Sequence, residues 1–203
     1  MNYQPFCVET PSAGTIRGLR WGSADGLPVL AVHGWLDNAA SFLPIAPYLT
    51  GLNLVAIDLP GHGFSQHRPA GARYHLMDYP PAVLEVADAL DWKELVLLGH
   101  SLGGAISTTV AVAAPTRIRA IVLIENLGPV SQAADGAPGR LRDSIAAYAK
   151  LRDKTPALYP DLEPLIMARA RLGKMGHKAA QALVSRNLAK VEGGYSWRSD
   201  PRL

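Results

Sequence analysis

Several things are scarce in this 203-residue sequence, and each scarcity excludes something. There is one cysteine, Cys7, so an internal disulfide is excluded. That usage fits a reducing compartment, and a cytoplasmic location is expected. Cys7 itself reads as a small apolar residue on an N-terminal strand. No apolar run approaches the roughly 20 residues a membrane-spanning helix needs, so no membrane span is expected. The opening stretch Met1 to Pro5 has neither the basic cluster nor the apolar core of a signal peptide, and none is expected. Charged residues make up only 18% of the chain against 48% hydrophobic, which excludes a disordered polypeptide and allows a substantial single core. Internal repeats and low-complexity tracts are also lacking. After His177 there is no further histidine.

The net charge of +3 hides an asymmetry. Residues 1–136 hold 7 Lys+Arg against 11 Asp+Glu, and residues 137–203 hold 13 against 6. The basic part is not interleaved with aromatics. Its charges, among them Arg140, Arg142, Lys150, Arg152 and Lys154, fall at helical spacings and read as solvated helix faces. Nucleic acid is therefore not an expected partner.

What is present is an alternation. Residues 6–9 and 15–21 read as two short strands joined by a turn at Pro11 to Gly14. Pro28 to Val32, Leu52 to Ile57, Leu95 to Leu98 and Ala120 to Ile124 are continuous apolar runs of the length of buried parallel strands. Between them lie an irregular helix from near Ala39 or Ser41 to Leu49, interrupted by Pro44 and Pro47. A second helix starts at Asp78 and Pro80, and a third, rich in small residues, runs from Ala105 to a stop at Pro115. Strands alternating with helices predict an α/β fold with a doubly wound, mostly parallel sheet. In such sheets sites form beyond the carboxyl ends of the strands, and Trp35, Asp58, Ser101 and Glu125 all follow such ends. After Gly128-Pro129 the pattern changes to three helical stretches, about 140–152, 161–172 and 177–190. Gly193 to Arg198 reads as a short extended piece. The expected division is 1–129, carrying six strands, and 130–203, helical.

The chemistry concentrates at Gly99-His100-Ser101-Leu102-Gly103. A buried strand runs into Gly-x-Ser-x-Gly and then into a helix, the context of a nucleophile elbow in which a strained turn exposes the serine hydroxyl. The turn brings the backbone two residues before and two after the serine together, so glycine is needed at both. The N-terminus of the following helix offers free N–H groups and a positive dipole end to a developing oxyanion.

Three motifs, His33-Gly34-Trp35, Asp58-Leu59-Pro60-Gly61-His62-Gly63-Phe64-Ser65 and Gly99 to Gly104, together resemble the α/β-hydrolase superfamily. The longer stretch His33 to Phe42 resembles its serine hydrolase-like subgroup. The resemblance implies an α/β-hydrolase fold with residues 130–203 as a helical cap. It implies Ser101 as nucleophile, the backbone N–H groups of Trp35 and Leu102 as the oxyanion hole, and structural roles for His33 and His62. His100 should point away from the Ser101 hydroxyl. Glu125 stands where some members hold the triad acid, its alternative being a solvated loop residue. The implied activity is hydrolysis of a small carboxylic ester or related acyl compound through an acyl-enzyme at Ser101. Cleavage of a C–C bond beside a ketone is an alternative on the same scaffold. No cofactor and no metal are expected, and the expected partner is the small acyl substrate. The family's histidine follows an eighth strand, and the sequence shows neither a seventh nor an eighth. The chain thus resembles a form truncated before the last two strands, and His177, at a helix start, is not expected to be the base. The competing expectation is a catalytically inactive product or binding module. Without a further strand the edge at Ala120 to Ile124 would be bare, and self-association through it is expected.

Overall fold

The computed structural model describes residues 3–152 and 157–203, so Lys154 lies outside the described residues. The expected alternation folds into one six-stranded sheet. Strands β1 (Gln4–Thr10) and β2 (Gly14–Gly22) form an antiparallel hairpin. β2 also runs antiparallel to β4 (Leu52–Ile57). β4, β3 (Leu27–Val32), β5 (Leu95–His100) and β6 (Ile118–Ile124) are parallel to their neighbours. The spatial order β1-β2-β4-β3-β5-β6 reverses direction at β3. A crevice opens there beyond the strand ends, the place where ligands bind in open α/β sheets.

The central strands β3, β4 and β5 are buried on both faces, successive side chains pointing to opposite layers. Leu30, Val32, Val55, Ile57, Leu95 and Leu97 pack on helices α1 (Tyr79–Ala89) and α2 (Leu102–Ala113) through Val83, Val86, Ile106 and Val110. Val29, Ala31, Leu54, Ala56, Val96 and Leu98 pack on Ala39, Phe42 and Ala46. Those last residues belong to two 3-10 turns, Ala39–Phe42 and Ala46–Tyr48, rather than to the expected irregular helix. Pro44 and Pro47 have no N–H to donate, and a continuous helix cannot pass through both. Cys7 is exposed on β1, not buried as a small apolar residue.

Beyond β6 the three expected helices are α3 (Ala137–Arg152), α4 (Glu163–Leu172) and α5 (His177–Asn187). Arg140, Arg142 and Lys150 are solvent-exposed, as their spacing predicts. α5 stops at Asn187 instead of continuing to 190. Leu188–Val191 leaves as β7 and pairs antiparallel with β8 (Gly194–Trp197), so the expected extended piece is one arm of a hairpin. Gly193 (φ 81°) makes its turn, a conformation open to glycine without strain. No helix among the described residues is long and apolar enough to cross a membrane.

Among the described residues β6 has one neighbour, β5, and Ile121, Val122 and Ile124 stand exposed along it. An unpaired apolar edge recruits another strand. Light scattering at micromolar concentration is expected to find a dimer or larger species that Val122→Lys reduces. A monomer with a sharp cooperative melt would contradict this.

Candidate active site

The elbow has the strained geometry its sequence demands. Ser101 sits between β5 and α2 with φ 51° and ψ −112°, a conformation that costs a non-glycine residue on the order of 1–3 kcal/mol. Its N–H is held by the carbonyl of Ile124 at 2.9 Å. A Cβ on Gly99 would lie 2.5 Å from the Gly103 carbonyl oxygen, the close approach expected across the turn. A Cβ on Gly103 would meet a different neighbour, the Val32 carbonyl oxygen at 1.9 Å. Gly103 therefore lets α2 press against the carboxyl end of β3. A Cβ on Gly34 would lie 3.3 Å from Cβ of Ser101, so the chain after β3 abuts the elbow.

That chain forms the turn Gly34 to Asp37, closed by the Asp37 N–H donating to the Gly34 carbonyl at 3.1 Å. Leu36 adopts φ 58° within it. Among the described residues neither the Trp35 N–H nor the Leu102 N–H has an acceptor, which leaves two donors beside Ser101. Residues far along the chain grip the turn. The Leu36 carbonyl accepts from Asn187 Nδ2 at 2.9 Å, Asp37 Oδ1 accepts from Arg169 Nη2 at 2.5 Å, and Asn38 Nδ2 donates to the Leu183 carbonyl at 2.9 Å.

The Asp58 motif builds the neighbouring loop. The Asp58 carboxylate is fully buried and accepts four hydrogen bonds: from the N–H groups of Ala39 and Phe64, and from Nε and Nη2 of Arg186 on α5. Gly63 is needed because a Cβ there would strike the Asp58 carboxyl at 2.4 Å. Asp200 is a second buried carboxylate, bonded by Arg202 and by the Tyr74 hydroxyl. Burial alone would raise the Asp200 carboxyl, and these donors outweigh it and hold it below its ordinary value.

Five of the six histidine side chains have hydrogen-bond partners other than the serine hydroxyl, and the sixth, His75, is exposed on its loop. The buried His33 ring accepts from the Leu59 N–H at Nε2 (2.9 Å) and donates from Nδ1 to the Gly34 carbonyl (2.7 Å), which fixes a neutral tautomer under the Gly34 to Asp37 turn. Burial pushes it down to about 4. His62 stacks edge-on between His33 and Trp35, and burial, with His33 beside it, pushes it down to about 3. Both are structural, as expected. His67 bonds the Arg198 carbonyl, His75 is exposed on its loop, and His177 bonds Glu163 at 2.8 Å, stapling α5 to α4. His100 turns to Glu125 (Nε2 to Oε2, 3.1 Å), with Asp37 at 3.9 Å on its other side. Glu125 stands at the carboxyl end of β6 with φ 72°, another strained non-glycine residue.

The two buried histidines carry a pH prediction. Below about 6.5 the unfolded chain binds both protons while the folded chain binds neither until near pH 4. Their contribution to stability is therefore fully present above pH 6.5 and is lost as pH falls towards 4. Urea denaturation is expected to give midpoints that drop steadily through that window. Midpoints flat from pH 7 to 4.5 would contradict neutral, buried His33 and His62.

A cavity of about 570 Å³ opens between the Gly34 to Asp37 turn and the C-terminal segment, lined by Trp35, Leu183, Val184, Trp197 and Leu203. A smaller one of about 250 Å³ reaches His100 and Ile124. Asp37 and Leu183 line both, and Ser101 lines neither. The larger cavity approaches the elbow through Trp35, next to Gly34, whose Cβ position abuts Ser101. Sequence reasoning missed Arg169, Arg186, Asn187 and Asp200. Asp37-Asn38 was within the quoted motif, but nothing in it names partners this distant.

This arrangement of sheet, elbow and strand-end loops defines an α/β hydrolase. The model of the alpha/beta hydrolase fold family matches residues 28–159, and the chain belongs to that family. Its relatives include a serine hydrolase-like protein of Dictyostelium discoideum, 33% identical over all of this chain and 59% of its own length. A probable serine hydrolase of Drosophila melanogaster is 32% identical over all of this chain and 63% of its own. The chain thus spans under two thirds of these curated relatives. Among solved structures, a hypothetical protein of Pseudomonas aeruginosa PAO1 is 44% identical with a TM-score of 0.92, covering 98% of this chain and 71% of that one. A thioesterase domain from the curacin biosynthetic pathway, at 24% identity and TM-score 0.79 over 99% of this chain and 73% of its own, shares the fold.

Proposed function

We propose that the chain carries the nucleophile and oxyanion hole of a serine hydrolase acting on a small carboxylic ester or related acyl compound. The observation that carries this reading is Ser101, a non-glycine residue held at φ 51° at the head of α2 with two unpaired N–H donors beside it. Ser101 Oγ attacks the carbonyl carbon, and the carbonyl π electrons move to oxygen. The Trp35 and Leu102 N–H groups, with the dipole of α2, stabilise that oxyanion. Collapse breaks the bond to the leaving oxygen, which takes up the proton given up by the Ser101 hydroxyl and departs as the alcohol. Water then cleaves the acyl-enzyme, releasing the carboxylic acid and restoring the Ser101 hydroxyl. Glu125, the residue after β6, is the triad acid of this reading. The helical cap of this reading, residues 130–203, reaches the larger cavity through residues from Ala157 onward, and Trp35, Leu183, Val184 and Trp197 there suit the apolar part of an acyl group beside Asp37, Arg169 and Asp200.

The proton of Ser101 needs a base; five of the six histidines of these 203 residues are bonded elsewhere, and His75 is exposed on its loop. That observation favours a second reading for the chain taken alone, an inactive or merely binding form of the fold. Covalent labelling separates the two. A fluorophosphonate is expected to modify Ser101 slowly, for want of an activating imidazole, and to miss the Ser101→Ala variant.

A further inference from the structure

We propose that α4 and α5 brace the oxyanion turn, with Asn187 and Arg169 as positioning residues for the Trp35 N–H. This rests on the reading of Trp35 as an oxyanion donor. The turn is poorly specified by its own sequence. Leu36 occupies the left-handed region, which costs a bulky residue, and its side chain stays 48% exposed, so burial does not compensate. Within the turn a single hydrogen bond, Asp37 N–H to Gly34 carbonyl, closes the loop.

What holds it comes from outside. Three consecutive residues, Leu36, Asp37 and Asn38, are each tied to α4 or α5, through partners 151, 132 and 145 positions away. Asn187 fixes the direction of the Leu36 carbonyl, and Arg169 fixes the carboxylate of the residue that closes the turn. The two helices act as one body, joined by His177 and Glu163 and anchored to the core where Arg186 meets Asp58. Asn187 fills this role at a cost to the fold. It is 5% exposed, and its Oδ1 is buried without a partner. A buried amide with an orphaned acceptor is a poor device for stability alone, since an apolar side chain of the same shape would avoid the penalty. Its return lies in the Leu36 carbonyl it orients. The segment over the site is then no freely swinging lid, because lifting it releases the oxyanion turn.

The test separates positioning from stability. In the 203-residue chain, Asn187→Leu is expected to keep or raise the melting temperature. It should nevertheless speed hydrogen exchange of the Asp37 N–H roughly tenfold relative to a β5 amide such as that of Leu97. Arg169→Met should do the same, and Arg169→Lys should restore part of the protection. Asp37 exchange unchanged in both Asn187→Leu and Arg169→Met, with the sheet amides still protected, would overturn the brace. So would a loss of protection spread evenly over turn and sheet. If Asn187→Leu fails to fold, the Arg169 pair decides. The hydrolase reading is tested separately with an alkylboronic acid, whose tetrahedral adduct mimics the oxyanion. An adduct absent from Ser101→Ala supports that reading, and weaker adducts in the two brace variants support both. Binding that ignores Ser101→Ala contradicts the hydrolase reading, while the exchange data still decide the brace.

Discussion

Arg186→Met is expected to cost the fold about 3–5 kcal/mol, because it strands a buried charge. The Asp58 carboxylate has no exposure to water, and half of its four hydrogen bonds come from the Arg186 guanidinium at 3.0 and 2.8 Å. The remaining donors, the N–H groups of Ala39 and Phe64, cannot neutralise it. For a domain of this size the melting temperature should fall by roughly 10 °C. Much of the loss should return in the double variant Asp58→Asn/Arg186→Met, since the penalty lies in the unpaired charge rather than in the missing contact. Thermal melts of the single and double variants check both statements. A loss below about 1 kcal/mol for Arg186→Met would mean that water reaches Asp58 and that the C-terminal segment is not anchored there.

Glu125→Gln is expected to lower kcat on the order of 10⁴-fold in a catalytically active form of the protein, the size seen when a triad acid loses its charge and the imidazole its orientation. Glu125 is the residue that follows β6, and its φ of 72° shows that the strand end holds it in a strained pose. Its carboxylate already accepts from one imidazole, that of His100, at 3.1 Å. Steady-state hydrolysis of a short-chain ester is the measurement. A change of less than about tenfold would assign the acid elsewhere and leave Glu125 as the partner of His100 only.

The two predictions sit at opposite ends of what the sequence discloses. The places of Trp35, Ser101, Leu102 and Glu125 beyond strand ends were legible because short apolar strands precede them, and because Gly99 and Gly103 announce a turn that no side chain can enter. The four parallel strands were legible for the same reason, as continuous apolar runs with turn residues at their ends, and the antiparallel pair β1 and β2 from the turn at Pro11 to Gly14 between two short strand-like runs. The irregular stretch after Asn38 was half legible, since Pro44 and Pro47 say where a helix fails but not that two 3-10 turns replace it. The end of α5 was misjudged because Leu188 to Val191 continues the helix's apolar rhythm. Only pairing with Gly194 to Trp197 draws it into a hairpin, and that contact is tertiary. Least legible were Arg169, Arg186 and Asn187. Each looks like an ordinary polar residue on a basic helix, and its role exists only through a partner more than a hundred positions away.

The central claim is that Ser101 is a nucleophile presented by a strained elbow to two oxyanion donors, without an imidazole at hand. It is tested most directly by treating the folded 203-residue chain with a fluorophosphonate, following the rate by intact mass and mapping the modified peptide. The account predicts one label per chain, on Ser101, acquired slowly and absent from Ser101→Ala. A label on any other residue, or one indifferent to Ser101→Ala, would contradict the assignment of the nucleophile. Rapid labelling lost on Ser101→Ala would contradict the claim that none of the six histidines of these 203 residues activates Ser101.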